Sequence, residues 1–296
     1  MRNLVIAAVI VYALAAYFSV GYHHSDEHFQ ILEFAALKWG INQQHDLAWE
    51  YHERMRPAFQ PAIVVALHSF YSLFAEPNPF VIITFLRFVT AALSLGAILL
   101  FAAKFKLYLG NEKLQRWYIL LSLFLWFTVY INVRFSSETW SGSFFLLALS
   151  LLAFKKKPEI NRDYFLAGLC LGISFLCRYQ CAFLIAGLGL WLLIIRKISF
   201  IHICILLASF LLVFAAGVLI DFWFYGEWVL TTWKYFEQNI LLDKASNFGV
   251  EPLWFYISET FATAVPPFSI VYIFATLVYI AACPKSVITW SILPIL

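Results

Sequence analysis

The densest block of ionisable side chains in this sequence lies between His23 and Gln60. It opens with His-His-Ser-Asp-Glu-His-Phe-Gln-Ile-Leu-Glu and closes with Glu-Arg-Met-Arg-Pro-Ala-Phe-Gln. The block directly follows an apolar run from Leu4 to Val20. Ionisable groups at the end of a membrane-spanning run are costly to keep near lipid, so they usually mark a functional site.

Asp26 and Glu27 form an acidic pair near the start of this block. One carboxylate of such a pair can act as a general base that removes a proton from an attacking hydroxyl. The alternative is that the pair only caps the N-terminus of a helix and complements the helix dipole. We predict that Asp26 is the base and that Glu27 supports it.

A metal site is a second interpretation of the same residues, because His23, His24 and His28 flank the acidic pair. These side chains lack the i, i+4 pairing of a His-Glu-x-x-His site. Adjacent residues on a helix also point apart, so few of them can reach one ion. We therefore predict that no metal is bound.

Arginines supply the positive charge of the predicted site. Arg56 ends the charged block, Arg134 closes an apolar run shortly before Glu138, and Arg178 lies between two other apolar runs. Guanidinium groups can clamp a lipid phosphate with paired hydrogen bonds, and we predict this role for all three arginines. The alternatives are an ion pair between Arg134 and Glu138, or side chains that extend to the membrane surface.

Residues 221–256 interleave aromatic rings with Asp, Glu, Gln and Asn side chains. This combination suits the apolar faces and the hydroxyls of a sugar. The alternative is an aromatic belt at the membrane surface, which needs no ligand.

The elements that carry these residues must be membrane helices. Of the 296 residues, 63% are hydrophobic and 12% are charged, and the mean hydropathy is +0.82. A soluble domain contains about 45–50% apolar and about 25% charged residues. The apolar runs do not alternate with polar residues, as the strands of a membrane barrel do. The composition predicts an all-α polytopic membrane protein.

Apolar runs near the length that crosses a bilayer, about 20 residues, indicate the spans. We predict them at 3–22, 80–103, 117–135, 139–154, 164–178, 181–195, 200–222 and 266–283, with a ninth beginning near 287. Residues 61–75 are too short to cross comfortably and are predicted as an interfacial or re-entrant helix.

The charges give the orientation of these spans. One set of loops carries twelve of the basic residues and three acids, whereas the opposite set carries eight basic residues and fourteen acids. The positive-inside rule places the first set in the cytoplasm. The two long loops, 23–79 and 223–265, then lie on the other face, where function is expected because loops carry it.

The first long loop is predicted to begin with an amphipathic helix. Ser25 or Asp26 can cap this helix, and Gly40 is a natural stop. At helical spacing, the apolar positions form one face and the polar positions form another strip. Such a helix would lie in the membrane surface and hold the acidic pair there.

The charged block is also one of four segments that follow a known order. These are His-x-Ser-Asp-Glu-His-Phe-Gln-x-Leu-Glu at 24–33, Trp-Glu-Tyr at 49–51 with Arg56, Arg134 with Glu-Thr at 138–139, and Asp221 through Phe-Tyr-Gly at 224–226 to Phe-Gly-Val-Glu-Pro-Leu-Trp-Phe-Tyr at 248–256. Together they resemble glycosyltransferase family 22, the polyprenyl- or dolichyl-phosphate-mannose-dependent α-mannosyltransferases of N-glycan and GPI-anchor assembly. Ser25 stands where the family usually has proline.

The resemblance implies one transmembrane domain of the GT-C type over 1–296, with about eight or nine helices present. The 23–79 loop would be catalytic and the 223–265 loop would be the second large extracytoplasmic loop. The resemblance further implies a lipid-phosphate mannose donor, a glycan or glycolipid acceptor, inversion at the sugar carbon, and neither a metal nor another cofactor. The residues expected to bind sugar or acceptor are Gln30, Glu33, Trp49, Glu50, Glu138, Asp221, Asn239 and Trp254.

The predicted function is therefore a membrane hexosyltransferase, with mannose as the transferred sugar and no nucleic-acid partner. It would lie in a bacterial inner membrane or an endoplasmic reticulum membrane, with its active face away from the cytoplasm. We expect an incomplete member of the family, because no His-Lys pair exists for its later motif and Leu296 falls within an apolar run. Two alternatives stay open: a lipid-linked-sugar flippase or transporter, and an inactive relative that acts as an assembly subunit.

Overall fold

The computed structural model describes residues 2–154, 160–252, 254–263 and 268–294. Within these ranges the regular structure is helical throughout, which confirms the predicted all-α class. The α-helices are, in chain order, α1 Arg2–Phe18, α2 Glu33–Lys38, α3 Trp49–His52, α4 Phe59–Tyr71, α5 Pro79–Phe105, α6 Glu112–Phe124, α7 Trp126–Ile131, α8 Ser137–Leu152, α9 Asn161–Cys177, α10 Ala182–Leu190, α11 Phe200–Tyr225, α12 Thr231–Phe236, α13 Phe255–Thr263, α14 Phe268–Ala282 and α15 Val287–Ile292.

The helix ends follow local capping chemistry. The side chains of Asn78, Asn111 and Ser136 accept backbone N–H bonds at the starts of α5, α6 and α8. Pro79 occupies the first position of α5, where its missing N–H costs nothing. Gly226 ends α11 with a φ of +76°, a left-handed conformation that glycine adopts without strain.

The chain separates into two compact units. The first comprises Met1–Cys181 and Ser199–Lys234, and the second comprises Ala182–Ile198 and Tyr235–Leu296. The prediction of a single transmembrane domain stays a prediction.

Small residues allow close helix packing in the first unit. A Cβ atom added at Gly168 of α9 would overlap Ser209 and the backbone of α11, and one added at Gly172 would lie 2.7 Å from the Cβ of Val213. Another buried cluster, with Ala8, Tyr12 and Ala16 of α1 at its centre, joins α1 to α5, α6 and α7. These contacts form the rigid framework from which the first loop projects.

The first loop begins with a helix, as predicted. A π-helical turn over Glu27–Leu32 continues into α2, and Gly40 follows the helix with a φ of +73°. The predicted caps were wrong, because neither Ser25 nor Asp26 makes a side-chain capping bond. The buried positions of this helix are Glu27, Gln30, Ile31, Phe34 and Ala35, so polar side chains of its N-terminal half face the protein.

In the second unit, α10 packs against α15. A Cβ atom added at Gly187 would overlap the backbone at Trp290 and Ser291, so only glycine permits this approach. The indole of Trp191 donates to the carbonyl of Lys285 over 2.9 Å, which joins the turn after α10 to the start of α15.

Two helices of the described residues, Pro79–Tyr108 and Phe200–Tyr225, are long and apolar enough to cross a membrane. Eight or nine spans are therefore not confirmed. The predicted span at 117–135 is divided into α6 and α7. Leu125 separates the two helices, and its extended ψ of 125° ends one helix before the next begins. Helices such as α9, with 17 residues, fall short of the ~20 residues that a full crossing needs. Residues 264–267 lie outside the described residues. The first two positions of the predicted span at 266–283 are among them.

Candidate active site

Asp26 faces a cation supplied by a distant part of the chain. Arg178 follows α9, where the backbone turns extended, and its Nη1 lies 3.9 Å from Oδ2 of Asp26. The same guanidinium forms an ion pair with Glu138 in the first turn of α8. The Asp26 side chain remains 19% exposed, so a ligand can reach it. The first loop and the junction between α9 and α10 thus meet at one carboxylate.

Glu27 shapes the loop and does not point outward. Its Oε1 accepts the backbone N–H groups of His23 and His24, over 3.2 and 3.4 Å. Its Oε2 lies 3.9 Å from Nη1 of Arg134. The side chain is buried. Glu27 therefore holds the backbone of His23 and His24 shortly before Asp26, and its predicted support of a general base stays a prediction.

Arg134 is almost fully buried, at 2% exposure, and binds the main chain of the loop. It donates to the carbonyl of Gly21 over 2.6 Å, to that of Val20 over 3.4 Å, and to the hydroxyl of Tyr130 over 2.7 Å. The guanidinium carbon also lies 4.6 Å from the centre of the Tyr130 ring. The structure therefore places Arg134 behind the loop, where its Nη1 and Nη2 donate to protein acceptors.

The alternative ion pair between Arg134 and Glu138 was wrong. Arg134 has its acidic neighbour in Glu27, and Glu138 pairs with Arg178. Ser136 caps α8 between the two residues, and Glu138 lies in the first turn of that helix.

A second polar group surrounds Glu50. Its Oε1 accepts from the amide of Gln30 over 3.1 Å and from Nη2 of Arg56 over 3.4 Å. Gln30 and Glu50 are buried, whereas the Arg56 side chain is 20% exposed. Of the predicted phosphate ligands, Arg56 and Arg178 thus retain exposed surface.

Asp221 fixes the segment that carries Arg56. Its Oδ1 accepts from the backbone N–H of Ala58 and its Oδ2 accepts from the hydroxyl of Thr231, both over 2.7 Å. The hydroxyl of Tyr225 donates to the carbonyl of Arg56, also over 2.7 Å. Asp221 is only 3% exposed. The structure therefore places it beneath the Arg56 loop, not at an open surface.

The other predicted sugar-binding residues have contacts of their own. Glu33 pairs with His28 over 3.2 Å on the outer side of the first-loop helix, and Trp49 is half-buried at the start of α3. Asn239 and Trp254 belong to the second unit. There the Asn239 amide donates to the carbonyl of Tyr235, and Trp254 is 66% exposed.

Aromatic and basic side chains secure the end of α11 against the first loop. Lys38 donates to the carbonyl of Trp223 and lies 5.1 Å from the centre of the Phe224 ring, and burial lowers the pKa of this lysine. Burial raises the pKa of Tyr51. The charge of Arg54 opposes this shift, and the charge of Glu227 adds to it. Both groups support the loop.

No group of three or more His, Cys, Asp or Glu side chains that could hold a metal ion occurs in the part of the chain that the structure describes. His24 lies near Asp26, with its Nδ1 accepting the Asp26 backbone N–H over 3.2 Å. The absence of a metal stays a prediction.

Comparison with known proteins decides the family. The model of the Alg9-like mannosyltransferase family matches residues 4–296. The chain belongs to the Alg9-like mannosyltransferase family. This confirms the predicted membership of a glycosyltransferase family whose members are mannosyltransferases.

Curated relatives of this Alg9-like chain share about a quarter of its residues. It is 27% identical to GPI mannosyltransferase 3 of Candida albicans, over 86% of the chain and 51% of that protein. It is 25% identical to GPI mannosyltransferase 3 of Drosophila melanogaster, over 91% of the chain and 46% of that protein. It is 24% identical to GPI alpha-1,2-mannosyltransferase 3 of Homo sapiens, over 80% and 42%. The chain spans about half the length of these relatives, and no solved structure matches it.

Sequence reasoning missed two residues beside the site of this Alg9-like protein. Arg87, in the middle of α5, is buried and donates to the carbonyls of Ser19 and Gly21. The hydroxyl of Tyr130 accepts a hydrogen bond from Arg134, and the guanidinium of Arg134 lies over the Tyr130 ring. The signal for Arg87 was present, since a lone arginine in an apolar helix of 27 residues is rarely without a function. Tyr130 had no such signal, because tyrosines are common near membrane surfaces.

Proposed function

We propose that this chain is a membrane mannosyltransferase with the GT-C fold, in which about eight or nine helices lie within the membrane. The donor is mannose linked to a polyprenyl phosphate. The acceptor is a glycan or glycolipid, and the names of the curated relatives favour a GPI-type glycolipid. The observation that carries the proposal is the carboxylate of Asp26, partly exposed and 3.9 Å from the guanidinium of Arg178, on the first loop of an Alg9-like chain.

Asp26 is the general base in this proposal. It takes the proton from an acceptor hydroxyl while the hydroxyl oxygen attacks C1 of the sugar. The bond between C1 and the phosphate oxygen breaks as the new glycosidic bond forms. One displacement of this kind inverts the configuration at C1. General-base catalysis contributes about 100- to 10,000-fold to a rate.

The leaving lipid phosphate needs charge stabilisation. Arg178 and Arg56 retain exposed surface and can supply it, because a preorganised donor that faces developing negative charge is worth about 3 kcal/mol. Arg134 contributes through the loop that it holds, since its donors meet the carbonyls of Val20 and Gly21. This proposed mechanism uses neither a metal nor another cofactor.

The polar and aromatic residues around this centre are the proposed sugar and acceptor ligands. Within the first unit, Gln30 and Glu50 lie behind Arg56, and Glu138 pairs with Arg178. Glu33 and Trp49 extend the surface of the same loop. Asp221 acts by positioning. Asn239 and Trp254, which belong to the second unit, are proposed as sugar ligands from the family resemblance alone.

The protein is proposed to act on the membrane face away from the cytoplasm, in a bacterial inner membrane or in the endoplasmic reticulum. The asymmetry of basic and acidic residues between the two sets of loops supports this orientation. The apolar helices of the described residues support a place in a membrane.

A transfer assay tests the proposal. Membranes that contain the full chain are incubated with radiolabelled polyprenyl-phosphate mannose and a mannose-ended glycolipid. We expect a labelled glycolipid that α-mannosidase digests, and no such product from membranes without the chain. Label that crosses sealed vesicles without a new glycosidic bond would instead indicate transport.

A further inference from the structure

A cavity of about 430 Å³ lies near the start of α1, at the other end of that helix from the first loop. Its walls are the start of α1, the turn that follows α5, and the first two turns of α6. The lining residues are Leu4, Lys106, Glu112, Gln115, Arg116 and Ile119. The volume is in the range of small-molecule sites. We call this cavity the α6 pocket.

One face of α6 forms a wall of the pocket, because residues three and four apart on a helix are neighbours. The amide of Gln115 on this face donates to the carbonyl of Leu109 over 2.8 Å, which ties α6 to the turn before it. Arg116 is exposed and forms neither an ion pair nor a hydrogen bond with any residue that the structure describes. Its guanidinium is therefore available to a ligand in the pocket.

The charge around the α6 pocket is positive. The segment from Lys104 to Arg116 contains four basic residues and one acid. Lys106 lines the pocket from the turn after α5, and Arg116 lines it from α6. The acid, Glu112, is the first residue of α6, where the positive end of the helix dipole partly offsets its charge. The pocket therefore favours an anion.

The rest of the pocket is apolar. Ile119 belongs to the buried cluster that joins α1 to α5, α6 and α7, and Leu4 packs against the same cluster. Tyr108, in the same turn as Lys106, is 66% exposed, and Trp117, next to Arg116 in the sequence, is 55% exposed. Exposed Tyr and Trp rings are typical of the level of lipid headgroups. A ligand with an anionic head and hydrocarbon next to it matches these surroundings better than a free anion does.

We propose that the α6 pocket binds the headgroup of an anionic phospholipid from the cytoplasmic leaflet. The guanidinium of Arg116 holds the phosphate with paired hydrogen bonds, and Lys106 adds a second positive charge. The acyl chains leave the pocket beside Leu4 and Ile119. This inference uses the orientation proposed above, which places the segment from 104 to 116 at the leaflet where anionic lipids are abundant, and it goes beyond the proposed reaction.

The first test measures the affinity of the full chain for lipids. Native mass spectrometry in detergent gives Kd values for phosphatidylglycerol and for phosphatidylcholine with the same acyl chains. Arg116→Gln removes the cation, and Arg116→Lys keeps the charge without the paired hydrogen bonds. The control is Lys113→Gln, which removes the same charge from an exposed position of the same helix that does not line the pocket. Inorganic phosphate is the competitor that separates a lipid site from a site for a free anion.

We expect phosphatidylglycerol to bind more tightly than phosphatidylcholine. Its affinity should fall about fivefold in Arg116→Gln, fall less in Arg116→Lys, and stay near the wild-type value in Lys113→Gln. Equal affinity for the two lipids would overturn the inference, and so would equal losses in Arg116→Gln and Lys113→Gln, which would indicate attraction to net charge alone. Displacement of the lipid by millimolar inorganic phosphate would overturn the assignment of a lipid.

The second test locates the lipid. Phosphatidylglycerol with a photoreactive diazirine near the start of one acyl chain is irradiated with the full chain in phosphatidylcholine vesicles, and the labelled peptides are mapped. We expect label on α6 and on the first turn of α1, which excess unlabelled phosphatidylglycerol displaces and Arg116→Gln reduces. Label spread evenly over lipid-exposed helices, or the same label from a phosphatidylcholine probe, would overturn the inference. Neither test uses mannose transfer, so failure of the proposed function would be recognised separately.

Discussion

The guanidinium of Arg134 donates to the carbonyl oxygen of Gly21 over 2.6 Å. Arg87 donates to the same oxygen from α5, so two buried cations meet at one peptide group. Gly21 has a φ of +64°, and the chain turns there from α1 into the first loop. The direction in which the loop presents Asp26 therefore depends on residues that lie outside it.

Replacement of Arg134 by Met should destabilise the protein strongly. It would leave the Glu27 carboxylate buried without its cation, a loss that typically costs about 3–5 kcal/mol. Thermal unfolding in detergent micelles measures the effect. The control is Arg162→Met, because the exposed pair of Arg162 with Asp163 is worth at most about 1 kcal/mol. Equal, small shifts in the two variants would show that the buried contacts contribute little.

Asp221 should affect binding of the donor through Arg56. Asp221→Asn keeps one acceptor oxygen and replaces the other with an NH2 group. This donor would face either the N–H of Ala58 or the hydroxyl of Thr231, so we expect a loss of about 1–3 kcal/mol in stability. KM for the donor should rise more than kcat falls. Thr231→Val removes the hydrogen bonds of this hydroxyl to Asp221 and to Tyr179 and should give the same pattern at about 1–3 kcal/mol. Thr276→Val, on the exposed surface of α14, is the control and should change neither.

Gly168→Ala should destabilise the first unit. The added methyl group would overlap Ser209 and the backbone of α11, which cannot move without separating the helices, at a cost of about 1–3 kcal/mol. Gly96→Ala on α5 meets open space and should be neutral or slightly stabilising, since alanine favours helix. Unfolding midpoints of the two variants give the comparison. Equal stability of both would contradict the close packing of α9 and α11.

Stability should fall in acid because of His68. Its ring stacks on Trp39 with centres 4.0 Å apart, and burial lowers the pKa of this histidine below its ordinary value. The unfolded chain then binds a proton more readily than the folded protein does. The stability that neutral His68 contributes is therefore present above about pH 6.5 and is lost as the pH falls through the folded pKa. His68→Phe keeps a stacked ring without titration. Melting temperatures of the two proteins should diverge below about pH 6.5, with the wild type lower, and parallel curves would contradict the assignment.

The general organisation of the site could be predicted because its signals are local. The acidic pair follows an apolar run, the helix after it ends at Gly40, and Arg178 interrupts two apolar runs. Each of these features stands out within a few residues. The positive-inside rule places the 23–79 loop outside the cytoplasm, and the structure brings Asp26 of that loop within 3.9 Å of Arg178.

Partner choice could not be predicted, because it depends on packing between distant helices. Arg134 stands four residues before Glu138, which made a local ion pair one alternative, yet Glu27 supplies the acidic neighbour of Arg134. Burial of Asp221 beneath the Arg56 loop likewise follows from the contact of α11 with the first loop. The break at Leu125 has no Pro or Gly to announce it, so the predicted span at 117–135 was drawn as continuous.

The central claim is that Asp26 removes the proton from the acceptor hydroxyl, and Asp26→Asn tests it most directly. The variant keeps the shape of the side chain and loses the base. Mannose transfer from lipid-phosphate mannose is measured with the full chain in membranes, beside Asp46→Asn as a control on an exposed aspartate of the same loop. We predict that turnover falls about 100- to 10,000-fold in Asp26→Asn and stays near normal in Asp46→Asn. Near-normal turnover in Asp26→Asn would contradict the account.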